Sequence, residues 1–253
     1  MNPIRLLIVL LLAALMCGSP APAQPNGWEE RFVQSNRDYK EGKYREAISG
    51  YHGLLEKGIR SGHLFYNLGN AYFKTDDLGR AILNYERARL FLPRDPDLRF
   101  NLNYARNQVQ DDIPHPRSFL QTTFFWLDNL TLWELFRGFA VLNIFFWTVL
   151  GVRLFTRTEW TYYVAILFLI FWTVGGLSLG LKYQHGRNDR RAVILDREVR
   201  VLAGPDPGDT VFFKLHSGTL VKMERSEGDW SLIRLPDKKR GWVRAAAVQR
   251  ITE

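Results

Sequence analysis

The run GFAVLNIFFWTVLGVRLF at 138–155, then TRTE at 156–159, then WTYYVAILFLIFWTVGGLSLGL at 160–181, decides how the rest of this chain is arranged. Each apolar run, with its flanks, makes a helix long enough to cross a hydrocarbon core about 30 Å thick. A backbone in lipid must satisfy its own N–H and C=O groups, so a helix is the expected form. The runs are apolar on every side and lack the polar stripe at helical spacing of a pair buried in a soluble core. Trp147, Trp160 and Trp172 lie near their ends. Four residues cannot hold a domain, so transmembrane helices over 138–155 and 160–181 form a hairpin. Whatever precedes Gly138 and follows Leu181 then shares one compartment.

The 253 residues leave room for small modules on either side of the hairpin. The formal charge is +8. No compact Lys/Arg patch interleaved with aromatics accompanies it, so nucleic acid is not an expected partner, and basic residues beside a bilayer are the better account. Cys17 is the single cysteine, which rules out a disulfide framework. His52, His63, His115, His185 and His216 are scattered, none with a second ligand at metal-site spacing. No metal, no cofactor and no catalytic residue is expected. A nucleophile–base pair and a phosphate-binding loop are likewise missing from the sequence.

Met1–Arg5 is short and positive, Leu6–Met16 is apolar but too short to span, and Ala21-Pro22-Ala23 has the small-x-small pattern read by a signal peptidase. A signal peptide over 1–23, cleaved after Ala23, is expected. Acylation at Cys17 is the alternative, although Met16 is a poor fit to the small residue expected before a lipidated cysteine. Charge gives a mixed signal on orientation. Arg153 and Arg157 favour a cytoplasmic turn, whereas Lys182, Arg187, Arg190 and Arg191 favour the reverse. The signal peptide commits the first module to export before the hairpin is made. Both flanking modules are therefore expected in the periplasm, held by the inner membrane.

From Trp28 the sequence matches itself at a shift of 34 positions. Gly42-Lys43-Tyr44 falls on Asp76-Asp77-Leu78, Ala47-Ile48 on Ala81-Ile82, Tyr51 on Tyr85, and Leu64, Asn67 and Leu68 on Leu98, Asn101 and Leu102. The period and pattern resemble the tetratricopeptide repeat. Gly62–Asp95 carries Leu68-Gly69, Tyr72, Ala81, Tyr85, Ala88 and Pro93. Trp28–Ser61 departs from the pattern, with Ser35 in place of glycine and Ile59 in place of proline. A third first-helix over 96–109 caps the stack, so the repeat domain is expected over 24–110. The resemblance implies a concave face lined by the first helices. Its positions here are Phe32, Asn36 and Tyr39; Tyr66, Asn70, Phe73 and Lys74; Phe100 and Tyr104. The asparagines can bond an extended peptide, and the aromatics can line a groove or pack between repeats. A terminal-carboxylate clamp is not expected, because Phe32 and Tyr66 stand where lysines are needed. Replacing Asn70 and Tyr66 by alanine is expected to weaken partner capture without unfolding the chain.

Residues 111–137 read as a linker and interfacial segment. Pro114 and Pro116 stop the preceding helix, Ser118–Leu132 is apolar and aromatic with Asp128 its only charge, and Glu134 and Arg137 can pair at i,i+3. Gly176 and Gly180 form a G-x-x-x-G pattern that seats either the first helix or a second copy. Beyond Arg191 the period becomes two. Ala192–Leu195, Val199–Leu202, Val211–Leu215, Thr219–Glu224, Trp230–Leu235 and Gly241–Val243 read as short strands between turn residues. Gly204-Pro205, Leu215-His216-Ser217-Gly218-Thr219, Gly228-Asp229-Trp230 and Gly241-Trp242-Val243 resemble the bacterial SH3 domain, expected over 192–253. Trp230 and Trp242 either form a ligand surface for peptide or glycan or close the barrel.

The expected fold class is thus a multidomain membrane protein: an α-helical tetratricopeptide-repeat solenoid, two transmembrane helices and a small all-β SH3-like barrel. This order resembles the BatE family of the Bacteroides aerotolerance operon. The resemblance implies a MoxR-type AAA+ ATPase and membrane proteins with von Willebrand factor A domains as neighbours, and a role in envelope stress tolerance. It supplies no active site. The expected function is a non-enzymatic scaffold with the lipid bilayer and other envelope proteins as partners. Peptidoglycan binding by the barrel is the alternative.

Overall fold

A computed structural model describes residues 27–111, 113, 122–156 and 158–252. The signal-peptide and Cys17 expectations, and the Pro114/Pro116 stop, lie outside the described residues. Five helices come first: α1 Trp28–Lys40, α2 Tyr44–Glu56, α3 Gly62–Lys74, α4 Leu78–Phe91 and α5 Pro96–Arg106. Ser61, Asp77 and Asp95 start α3, α4 and α5 by accepting a bond from the backbone N–H three residues on, which satisfies a donor the helix cannot. Pro96 occupies the first turn of α5, where it has no N–H to lose. Gly42 and Asp76, 34 positions apart, end α1 and α3 in the left-handed conformation, with φ of 79° and 60°. In each case the next residue donates back into the last turn: Lys43 to the Asp38 carbonyl and Asp77 to the Tyr72 carbonyl.

The first helix pair explains its own departures from pattern. Ser35 is buried on α1, where Gly50 of α2 leaves room for it: a Cβ on Gly50 would stand 2.1 Å from Ser35 Oγ. The Ser35 hydroxyl donates to the Arg31 carbonyl at 2.8 Å. Gly58, with φ 78°, ends α2, and Ile59 N–H returns to the Leu54 carbonyl at 3.0 Å, so no proline is needed there.

A short helix, α6 Trp126–Asn129, precedes the two long ones, α7 Leu132–Phe155 and α8 Glu159–Arg187. Both are long and apolar enough to cross a membrane, and their apolar side chains face outward almost throughout. Two apolar helices so displayed indicate membrane association. The sequence put the first helix start at 138; it lies at Leu132. Thr131 and Glu134 form a reciprocal capping box there, which converts 132–137 from linker into helix. Glu134 pairs with Arg94 rather than Arg137, whose guanidinium sits 5.0 Å over the Trp133 ring. The second helix continues past Leu181 to Arg187. Cβ atoms on Gly175 and Gly176 would meet the Phe139 ring at 3.2 and 3.4 Å, while Gly180 faces open space. The adjacent pair of glycines, more than the spaced pair, seats α7. Also on α8, the Trp126 indole donates to Ser178 Oγ at 3.2 Å and Lys182 Nζ to the Leu127 carbonyl at 2.5 Å.

The C-terminal region is an antiparallel sheet of β1 Arg191–Ile194, β2 Glu198–Leu202, β3 Val211–His216, β4 Leu220–Glu227, β5 Trp230–Arg234, β6 Arg240–Arg244 and β7 Val248–Arg250, in the order β3-β2-β6-β5-β4-β1-β7. The last strand, after a short 3-10 turn at Ala245–Ala247, was not read from the sequence. Ile194, Val201, Ile233 and Val243 sit at the centre of its core, as period-two alternation requires.

The helical and β regions are not separate bodies. Val193 and Ile251 of the sheet share one buried cluster with Phe65, Ile82, Leu98 and Leu102 of the helices. Both regions therefore lie on one side of the hairpin, as its return of the chain demands.

Candidate functional site

The nine helical residues expected to line a groove fall into two sets. The first is internal. Asn36 Oδ1 accepts from the Tyr51 hydroxyl at 2.7 Å and from Asn67 Nδ2 at 2.9 Å. Thirty-four positions later Asn70 Oδ1 accepts from the Tyr85 hydroxyl at 2.8 Å and from Asn101 Nδ2 at 3.0 Å. The same Asn–Tyr–Asn arrangement thus staples each helix pair to the next first helix. Burial pushes the Tyr51 and Tyr85 hydroxyls well above their ordinary pKa, so both stay protonated and donate. Asn101 Nδ2 also reaches the Tyr66 hydroxyl at 2.9 Å. Asn36, Asn70 and Tyr66 therefore hold the helix pairs together, so replacing Asn70 and Tyr66 by alanine removes these internal bonds as well as any contact to a partner. Phe32 packs on Tyr51 and Tyr39 on Tyr44, with ring centroids 6.1 and 5.4 Å apart.

The second set is open. Phe73 meets Tyr104 edge-on at 5.8 Å, and Phe100 stacks on Tyr104 at 6.4 Å. Phe100 is 70% exposed and Tyr104 54%. Lys74 is exposed beside them on α3. Three rings from α3 and α5 thus make an aromatic ridge at the end of the helical stack.

In the barrel, Trp230 and Trp242 are 9% and 6% exposed and pack with Leu202 and Leu232 into a small cluster of their own. The Arg244 guanidinium lies 4.5 Å from the Trp230 ring and that of Arg225 5.2 Å from the Trp242 ring. These cations cover the faces a peptide or glycan would stack on. The exposed apolar side chains of the sheet are instead Val211 and Phe212, on the edge strand β3.

Sequence reasoning missed the seam between helices and barrel. Arg87 of α4 donates through Nε to the Ile251 carbonyl at 3.1 Å and through Nη2 to the Arg250 carbonyl at 3.0 Å. Beside it Glu86 is completely buried, paired with Arg89 at 2.8 Å, with Arg106, and with Arg191 of β1 at 3.7 Å. Burial alone would raise the Glu86 pKa, but Arg89, Arg106 and Arg191 together hold it below the ordinary value. At the other end of the seam Asp111 Oδ2 accepts from His216 N–H at 2.7 Å and from the Thr219 hydroxyl at 2.5 Å, with His216 Nδ1 2.8 Å from Oδ1. Burial opposes ionisation of Asp111 as well, and the Thr219 and His216 bonds overcome it, so its pKa is also lowered. The β3–β4 turn between these residues brings Gly218, at φ 90°, so close to α4 that a Cβ would stand 2.7 Å from Ile82. No local signal marks the contacts across the seam, since there each partner lies more than a hundred positions away; the Glu86–Arg89 pair at i,i+3 is local but does not reveal the burial of Glu86. Among the described residues no group of three or more His, Cys, Asp or Glu is placed to hold a metal ion.

Residues 196–249, covering β2 to β6 and the start of β7, match the bacterial SH3 domain family. No curated protein matches the chain.

Proposed function

We propose that this protein is a non-enzymatic, membrane-anchored interaction scaffold of the bacterial envelope, with both of its modules in the periplasm. In this reading α1–α5 are a short tetratricopeptide stack. A partner protein docks on the first-helix face, across the ridge of Phe73, Phe100 and Tyr104. The observation that carries it is that ridge: Phe100 and Tyr104 stand in solvent, with the half-buried Phe73 packed edge-on against Tyr104. Aromatic clusters of this kind anchor interfaces. The resemblance to the BatE family makes a von Willebrand factor A membrane protein, within an aerotolerance-type complex that includes a MoxR-type ATPase, the first partner to test. A photo-crosslinking residue at Phe100, compared with one at Val33 on α1, checks it in native membranes. Adducts at Phe100 that vanish on Tyr104→Ala support the ridge; equal yields at the two positions would remove it.

The match to the bacterial SH3 domain favours a second reading, in which the barrel holds peptidoglycan and so positions envelope enzymes. The whole solubilised chain, sedimented with purified peptidoglycan, tests it. Ridge variants should leave such sedimentation unchanged if the barrel carries it.

A further inference from the structure

Where α8 ends, the chain turns at once into β1, and a cleft of about 480 Å³ lies between the helix end and the sheet, lined by the basic His185, Arg190, Arg191, Lys222 and Arg234 and by two acids, Asp189 and Glu224. The strand register explains the charge. Arg191 stands opposite Lys222, Lys222 opposite Arg234, and Arg234 opposite Arg240. Directly paired residues share a face of a sheet, so four cations line up across β1, β4, β5 and β6. Like charges so placed destabilise a sheet, and the acids nearby answer only part of the row. Asp189 grips Arg191 at 2.7 Å, and Glu224 takes Arg234 at 2.9 Å and Arg240 at 3.8 Å. Among the described residues Lys222, in the middle of the row, has no acid partner. Arg190 donates only to the Glu224 backbone carbonyl, at 3.2 Å.

The depth of the cleft says what kind of anion it meets. The 29 residues of α8 measure about 44 Å at 1.5 Å per residue, close to the 40–45 Å of a bilayer with its headgroups. If the hydrocarbon ends near Leu181, His185 stands about 6 Å beyond it, within the headgroup layer.

We propose that this cleft binds the phosphodiester of an anionic phospholipid headgroup, with Lys222 and Arg190 as its contacts. The proposal rests on the hairpin crossing a bilayer. The test uses the whole chain in neutral detergent, titrated with short-chain phosphatidylglycerol, with the matching phosphatidylcholine, and with inorganic phosphate, while bound lipid is counted by native mass spectrometry. Phosphatidylglycerol should be retained in preference to phosphatidylcholine. Arg190→Gln with Lys222→Gln should weaken that retention roughly 25-fold, about fivefold for each basic side chain. Lys222→Arg should retain it, and Arg200→Gln with Lys238→Gln, which removes the same charge outside the cleft, should leave it unchanged. Equal uptake of the two lipids, or an unaltered preference in the cleft variant, overturns the proposal. Inorganic phosphate competing at the concentration of the lipid would make the ligand a soluble anion and overturn it too. Flotation with phosphatidylcholine vesicles separates the premise. A chain that fails to float refutes the hairpin and the cleft with it; one that floats without lipid preference refutes the cleft alone.

Discussion

Replacing Glu86 by glutamine should undock the helical region from the barrel. The Glu86 side chain is fully buried and faces three guanidinium groups on side chains 37%, 34% and 28% exposed. Glutamine keeps the shape but loses the charge and turns two N–H donors toward cations that are donors themselves. Removing one partner of a buried ion pair costs about 3–5 kcal/mol. The three arginines keep some water, so the lower end applies, about 3 kcal/mol. Arg191 alone, at 3.7 Å, belongs to the sheet, so only part of this cost falls on docking, and at 1.4 kcal/mol per tenfold the undocked population rises by no more than roughly 150-fold. Hydroxyl-radical footprinting of the reconstituted chain reads it directly. Labelling of Ile82, Val193 and Ile251, all buried at the seam, should rise, while Ile233 in the barrel core and Leu68 in the helical core stay protected. Wild-type labelling at Val193 and Ile251 in the variant would refute the reasoning. The pH dependence has a definite sign. Because the folded pKa of Glu86 lies below its ordinary 4.5, its stabilisation is present above that value and is lost as pH falls through the lower, folded one. The wild-type seam should therefore open in acid below pH 4.5, and the glutamine variant should lose that part of the response.

Three further substitutions probe the same fold. Asn70→Ala strips two accepted bonds and leaves the buried Tyr85 hydroxyl without a partner. Denaturant titration of the α1–α5 signal should show a loss of about 1–3 kcal/mol. Gly218→Ala places a Cβ against Ile82 and Val109 at a left-handed φ. It should cost on the order of 2 kcal/mol and raise labelling at the seam as Glu86→Gln does, with the sheet itself intact by far-ultraviolet circular dichroism. Asp76→Gly relieves a non-glycine left-handed residue whose contact with Arg197 is almost wholly in solvent, so the helical region should gain about 1 kcal/mol of stability, read as a higher melting temperature.

The sequence made some of this legible because the signals are local. Apolar runs and period-two alternation act on near neighbours, so the two long apolar helices and six of the seven strands could be read directly. The recurrence at 34 positions was equally plain, but what it does was not. Asn36 and Asn70 looked like free peptide-binding amides. Their acceptors are filled by hydroxyls 15 positions on and amides 31 positions on, and a sequence does not print the filled state of a lone pair. The helix start at Leu132 was missed because a capping box can begin a helix ahead of the apolar run it serves.

By itself, then, the sequence determined most of the helices and strands and which two runs are long and apolar enough to cross a membrane, since hydrophobic period is set by adjacent residues. Only the tertiary structure decided that helices and barrel form one body, that Glu86 is a buried keystone rather than a surface carboxylate, and that cations from four strands stand in a row. Those facts depend on residues up to 164 positions apart arriving at one place. Their charges and shapes are complementary only after the chain has folded.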